Sequence, residues 1–148
     1  MIEQGLQQEI NMVMTEARNR RLEFVTVEHL LLALLNMDEV IAFLRGKRVN
    51  IDELRAELDQ YIDSHTPIIS EDAEIDIVPT VGFQRVLQRS VYQAQSAQKN
   101  SVNAMNVFVS IFSEKESHAV YMLKLNNISW LDVMEGISSH LEDNPVEE

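Results

Sequence analysis

The chain has 148 residues, 45% of them hydrophobic, and a formal net charge of -12. That length suffices for one compact domain or two small packed lobes, and the absence of cysteine excludes disulfides and thiolate metal or redox sites. A negative field of this size repels phosphate backbones and argues against nucleic acid as a partner. With 4 Gly and 3 Pro the chain has few turns, hence long elements, and its Leu, Glu, Gln, Ala and Met favour helices.

The start, MIEQGLQQEI, lacks the basic and apolar segments of a signal peptide. No apolar run approaches the ~18 residues of a membrane span. The expectation is a soluble, cytoplasmic protein that does not engage membranes. Residues 2–20 place Leu6, Ile10, Val13, Met14 and Ala17 on one helical face. Arg18, Arg20 and Arg21 follow, complementing the negative end of the dipole. Thr26 is a good N-cap for the next helix, whose run HLLLALL is apolar all round and calls for central burial. A short helix around Val40–Arg45 is expected to end at Gly46 as its C-cap. Asn50, with Glu53 three residues on, reads as a capping box. It opens a fourth helix striped by Ile51, Leu54, Leu58, Tyr61 and Ile62.

Residues 64–79 contain two prolines, four acids and no lysine or arginine. They read as an extended linker laid across the surface, with a short strand-like stretch where Ile75 and Ile77 alternate with acids.

The second half repeats the first. Phe83, Leu87, Val91 and Ala94 form a new stripe, and Asn103 takes the capping position of Thr26. The run Val107–Phe112, strand-like alone, replaces Leu30–Leu35 and is therefore assigned to helix. Leu44 matches Leu123, Val49 matches Ile128, Leu54 matches Val133 and Leu58 matches Ile137. Ser129, with Asp132 three residues on, caps the last helix. The offset is 77 residues through the first two helices and 79 after a two-residue insertion. The expected fold is all-α: two tandem, pseudo-twofold four-helix repeats, 1–63 and 80–142, joined by the linker.

The chemistry motifs are missing. Gly5, Gly46, Gly82 and Gly136 are too dispersed for a phosphate-binding P-loop. The pair Glu28-His29 reverses the HExxH order, with Ala at position 33, and no GxSxG elbow occurs. A site assembled by folding, such as His140 with Asp143 or Asp63, leaves no sequence trace. A small helical hydrolase therefore stays open as an alternative. The methionines Met12, Met14, Met105, Met122 and Met134 fall at or beside core positions, and packing is their expected role.

Packing leaves two features unexplained. Glu23 and Glu28 flank the turn between the first two helices, where Glu28 also suits a helix N-terminus. Arg85 and Arg89 stand four residues apart, a like-charge spacing that costs a few tenths of a kcal/mol in an isolated helix. Something acidic belongs opposite them, either within the chain or on a partner.

The run EARNRRLEFVTVEHLLLALL at 16–35, its echo FQRVLQRSVYQAQSAQKNSVNAMNVFVSIFSE at 83–114, and the double-repeat spacing resemble the Clp N-terminal domain. That is the leading domain of the Clp/Hsp100 AAA+ unfoldases. The resemblance runs to about residue 142 and is strongest to its ClpA-type branch, whose wording matches Arg21-Leu22-Glu23-Phe24. It implies a non-catalytic domain that docks adaptors and substrates, and a longer, hexameric protein whose absent modules bind ATP and magnesium. The chain itself would hold no cofactor and no metal, and would be monomeric alone. The implied partners are the ClpS adaptor, the ClpP peptidase through the full-length protein, and unfolded or tagged substrates. Carried over residue by residue, the adaptor-facing surface falls on Glu23, Glu28, Thr80, Arg85 and Arg89. Trp130 stands where the family usually has Arg and reads either as an apolar contact or as core. Residues 143–148 would begin a tether to the ATPase modules. The alternative within the family is the N-domain of a disaggregase that binds apolar substrate segments directly.

Overall fold

The structure, a computed structural model, describes the backbone of residues 1–74 and 77–143 and the side chains within that span up to Ser138. In chain order the elements are α1 (Gln4–Asn19), β1 (Phe24–Val25), α2 (Val27–Leu34), α3 (Asp38–Gly46), α4 (Ile51–His65), β2 (Val78–Pro79), α5 (Val81–Ser96), α6 (Ala104–Ile111), α7 (His118–Leu125) and α8 (Trp130–Asp143). The fold is all-α in two four-helix sets, as the repeat predicts, and the run Val107–Phe112 is helical up to Ile111. Among the described residues no helix is long and apolar enough to cross a membrane.

The duplication is visible in the backbone. Arg21, Arg48, Gln98 and Asn127 take positive φ, at 58°, 62°, 59° and 61°. Arg21 and Gln98 are 77 residues apart and Arg48 and Asn127 are 79 apart, the two offsets of the sequence. Each sits just past a helix in a Schellman turn, where the next residue's N–H returns to a carbonyl of the last turn: Leu22 to Ala17, Val49 to Leu44, Lys99 to Ala94, Ile128 to Leu123. The sequence reading put this role on Gly46. Instead Gly46 is the last residue of α3 and the left-handed position falls to Arg48. No glycine serves any of these turns, and this is why glycine placement misled.

The helix starts also recur. The Thr26 N–H donates to His29 Nδ1 at 3.0 Å, and the Asn103 N–H to Asn106 Oδ1 at 2.9 Å, each side chain reaching back to its cap. Asn50 accepts from the Glu53 N–H at 3.1 Å. Ser129 Oγ accepts from the Asp132 N–H at 3.1 Å while Asp132 accepts from the Ser129 N–H at 2.9 Å.

The core lies between the halves. α2 packs on α1, α4, α5, α6 and α7, and α6 on α2, α3, α5 and α8. Leu30, Leu31, Leu34, Phe108 and Ile111 are fully buried, and each such side chain stabilises by about 1.5–3 kcal/mol. Phe43 meets Phe108 edge-on at 5.9 Å between ring centroids. Gly136 lets α8 close on the same ring, since a Cβ there would lie 2.8 Å from Phe43 carbons. Of the methionines assigned to packing, Met122 is buried and Met14, Met105 and Met134 are partly buried, but Met12 is 63% exposed.

The linker is tied down by hydrogen bonds. α4 runs on to His65, and Val78 and Pro79 pair in parallel with Phe24 and Val25. The strand lies at Val78–Pro79, directly after the stretch expected around Ile75 and Ile77; Ile75 lies outside the described residues and Ile77 packs against the core. The Glu23 N–H donates to Pro67 O at 2.8 Å and the Ile69 N–H to Arg21 O at 2.7 Å. The Arg21 guanidinium donates to the carbonyls of Ile69, Ser70 and Ala73. Residues 144–148 of the expected tether lie outside the described residues.

Two glycines give opposite expectations. Gly46→Ala meets nothing within 4 Å on a helical backbone and should stabilise by about 0.5–1 kcal/mol. Gly136→Ala collides with Phe43 and should destabilise by about 1–3 kcal/mol. Urea denaturation of both variants checks the pair. Burial, and secondarily the Arg20 charge, lowers the His29 pKa from 6.5 to about 4. The folded state holds this imidazole neutral, so its contribution is complete above pH 6.5 and is lost as pH falls through 4. Between those limits unfolding free energy should drop by about 3 kcal/mol, and His29→Asn should flatten that slope in pH-dependent urea melts.

Candidate functional site

The site begins at the β1–β2 ribbon, which holds Glu23 beside the start of α5: the Val78 N–H donates to Glu23 O at 3.1 Å and the Thr80 N–H to Val25 O at 2.9 Å. Thr80 is the α5 N-cap, its Oγ1 accepting from the Phe83 N–H at 3.2 Å. The Glu23 side chain is exposed. Further along α5, Arg85 donates twice to Glu114, Nε to Oε2 at 3.0 Å and Nη2 to Oε1 at 2.7 Å. Glu114 is the acid that the arginine spacing called for, and it lies within the chain. Its carboxyl is lowered by the hydrogen bond from Arg85 first, then by the Arg85 and Arg89 charges against opposing burial; Arg85 is raised by the same bond. Gly82 leaves room for this approach, because a Cβ there would lie 3.0 Å from Glu114 Oε1 and 3.2 Å from Val27 Cγ2. Arg89 is exposed one turn on.

Glu28 stands apart from these four. It is 7% exposed, and its Oε2 accepts from the Ala119 N–H at 3.0 Å. It thus caps α7 of the second repeat from α2 of the first, the kind of carboxylate that a helix N-terminus favours. The expectation that the core does not need it is overturned: the glutamate that seemed spare in one repeat completes a helix of the other. Beside it the rings of Tyr61 and His118 stack at 3.8 Å and 3°, with His65 on Tyr61 at 4.1 Å. Burial, then the Glu28 charge, raises the Tyr61 pKa.

Sequence reasoning missed a groove of about 670 Å³ between α5, α6 and α8, in the second repeat. Val109, Phe112 and Met134 line it, with exposed Tyr92 and Trp130 beside them and Arg89 and Lys115 as its charged residues. Trp130 is 53% exposed, which settles its alternatives against core. The signal was present in the run of aromatic and apolar residues, but periodicity alone does not separate core from groove. Among the described residues no three His, Asp or Glu side chains converge as a metal site. The His140 and Asp143 side chains lie outside those described.

Residues 1–126 match the family model described as "Clp repeat (R) N-terminal domain". The chain is similar to a "ClpA homolog protein" of Fuscovulum blasticum, 33% identical over 141 residues, covering 95% of this chain and 18% of that protein. The chain therefore spans less than a fifth of this relative's length. Among solved structures, the Hsp104 N-terminal domain of Candida albicans superposes with a TM-score of 0.79 at 12% identity, covering 99% of this chain and 93% of that one. The N-terminal domain of ClpD from Arabidopsis thaliana gives 0.70 at 18% identity, covering 95% and 94%. At these identities the two structures speak to the fold.

Removing the Glu28 carboxylate leaves a helix N–H buried without its acceptor. Glu28→Ala should therefore cost about 1–3 kcal/mol in thermal or urea unfolding. Glu23→Ala and Arg89→Ala, on exposed side chains, should leave the melting temperature unchanged.

Proposed function

Because the chain belongs to the Clp repeat N-terminal domain family, we propose that it is the non-catalytic adaptor- and substrate-docking domain of a ClpA-type unfoldase that supplies proteins to the ClpP peptidase. The observation that carries this reading is the set of exposed charges Glu23, Arg85 and Arg89 together with half-buried Thr80. It bears both signs of charge, and of its residues Thr80 is fixed by capping and Arg85 by Glu114. A mixed strip demands a partner of complementary pattern, which gives orientation and specificity before affinity. The family resemblance names that partner as the ClpS adaptor. In this reading Glu28 acts from beneath, joining α2 of the first repeat to the start of α7 of the second. ATP hydrolysis and hexamer formation belong to the longer protein implied by the relative, and are part of the same proposal.

A second reading has its own observation. The groove beside Arg89 exposes Tyr92 and Trp130 together, which suits direct capture of apolar substrate segments as in the disaggregase alternative. Arg89 borders both surfaces, so an adaptor on the strip would sit at the mouth of the groove.

Calorimetric titration with the ClpS partner tests the first reading. Arg89→Ala should weaken binding by about tenfold or more, and Glu23→Ala should slow association and reduce its salt dependence. Unchanged binding in both variants rejects adaptor docking at this strip. Tyr92→Ser with Trp130→Ser should spare ClpS binding and abolish capture of an unfolded model substrate if the groove acts independently.

A further inference from the structure

The apolar groove of the second repeat has a counterpart in the first. At the repeat offsets, its lining residues Gln93, Ala97, Val109, Ser113 and Met134 correspond to Glu16, Arg20, Leu32, Asn36 and Arg55. Those five line a separate cleft between α1, α2 and α4, also bordered by His29, with a volume of about 100 Å³. One concavity has thus been inherited twice and has diverged. Where the second repeat carries Ala97 and Met134, the first carries two arginines.

The polar groups differ in a directed way. In the second repeat Asn106 Nδ2 donates to Gln93 Oε1 and the pair is closed. In the first, the corresponding His29 is 3% exposed, and its Nδ1 accepts from the Thr26 N–H at 3.0 Å. A backbone N–H can only donate, so Nδ1 bears no hydrogen and Nε2 carries it. Among the described residues nothing accepts from Nε2, and an unmet buried donor is costly. The donors around the cleft are held in place. Arg55 Nη2 donates to Leu35 O at 3.0 Å and Nη1 to Asp52 at 3.2 Å, while Arg20 Nη2 donates to Asp63 at 2.7 Å. Both guanidiniums keep further N–H groups. The two acids of the lining, Glu16 and Asp59, are exposed and have no hydrogen bond to hold them inward among the described residues, so they are free to turn to solvent.

We propose that this cleft is a binding site for a small oxyanion, of carboxylate or phosphate size, received by the His29 Nε2–H and the Arg20 and Arg55 guanidiniums. A buried neutral donor fixes the anion's position, and two planar cations supply the charge-assisted bonds that favour such groups. The volume admits a small group and excludes a folded segment. The first repeat would then sense a charged group while the second receives apolar chain.

The test is a nuclear magnetic resonance titration of the whole ¹⁵N-labelled chain, following the backbone amide signals of the residues lining the cleft and, where His29 is present, its side-chain Nε2–H, at constant ionic strength. Inorganic phosphate and acetate are the two probes, with chloride as the control. A saturable shift at His29 with either probe, absent with chloride, is expected, and the stronger probe identifies the source chemistry. Arg55→Met, which installs the second repeat's residue, should weaken binding by about tenfold. His29→Asn should abolish it; if that variant fails to fold, Arg20→Ala, checked by circular dichroism, takes its place. No saturable shift with either probe, or an equal shift in the variants, overturns the proposal.

Discussion

Neither α2 nor α6 can lose its water within its own repeat. A helix that is apolar on every side needs neighbours on every side, and a four-helix set offers α2 only α1 and α4 as close companions. The remaining faces are covered by α5, α6 and α7 of the other half. The duplication is thus a physical requirement of the sequence pattern: each repeat supplies the cover that the other lacks. This also explains why Glu28 tolerates burial. It sits in the seam, and the Ala119 N–H at the start of α7 meets its charge. A carboxylate buried without such a partner would cost several kcal/mol.

Everything that distinguishes the two halves hangs on that shared frame. The Schellman turns and N-terminal caps recur at fixed offsets because they define where helices begin and end. The surfaces between them have been free to diverge. In the second repeat the space between α5, α6 and α8 opens into an apolar groove bordered by Arg89. In the first the corresponding space between α1, α2 and α4 is small and polar, with His29 on its wall. Two copies of one scaffold thereby present two different chemistries, and the β1–β2 ribbon joins them at Glu23 and Thr80.

The charges on α5 show how a single long-range contact changes a local reading. Spacing four residues apart makes Arg85 and Arg89 mutually unfavourable on an isolated helix. Glu114, which follows α6, removes that cost by pairing with Arg85 and lying within the field of Arg89. Arg85 is accordingly half committed to the fold, and Arg89 is the freer of the two.

The sequence by itself determined the helices, their caps at Thr26, Asn50, Asn103 and Ser129, the duplication and its two offsets, and the family. All of these are written in local periodicity and short spacing, which one strand of text carries in full. Even the strand-like run Val107–Phe112 was assigned correctly, because the repeat supplied a second reading of the same position. Tertiary structure alone decided what the charges do. Glu28 and Ala119 are 91 residues apart, and Arg85 and Glu114 are 29 apart; no periodicity links such pairs. It also decided that the left-handed turn after α3 falls on Arg48 and not on Gly46, since an arginine can occupy a left-handed turn when the surrounding hydrogen bonds hold it there. Whether a stripe of Tyr, Phe and Trp becomes core or groove depends on how closely the next helix approaches, and only the packed chain fixes that distance.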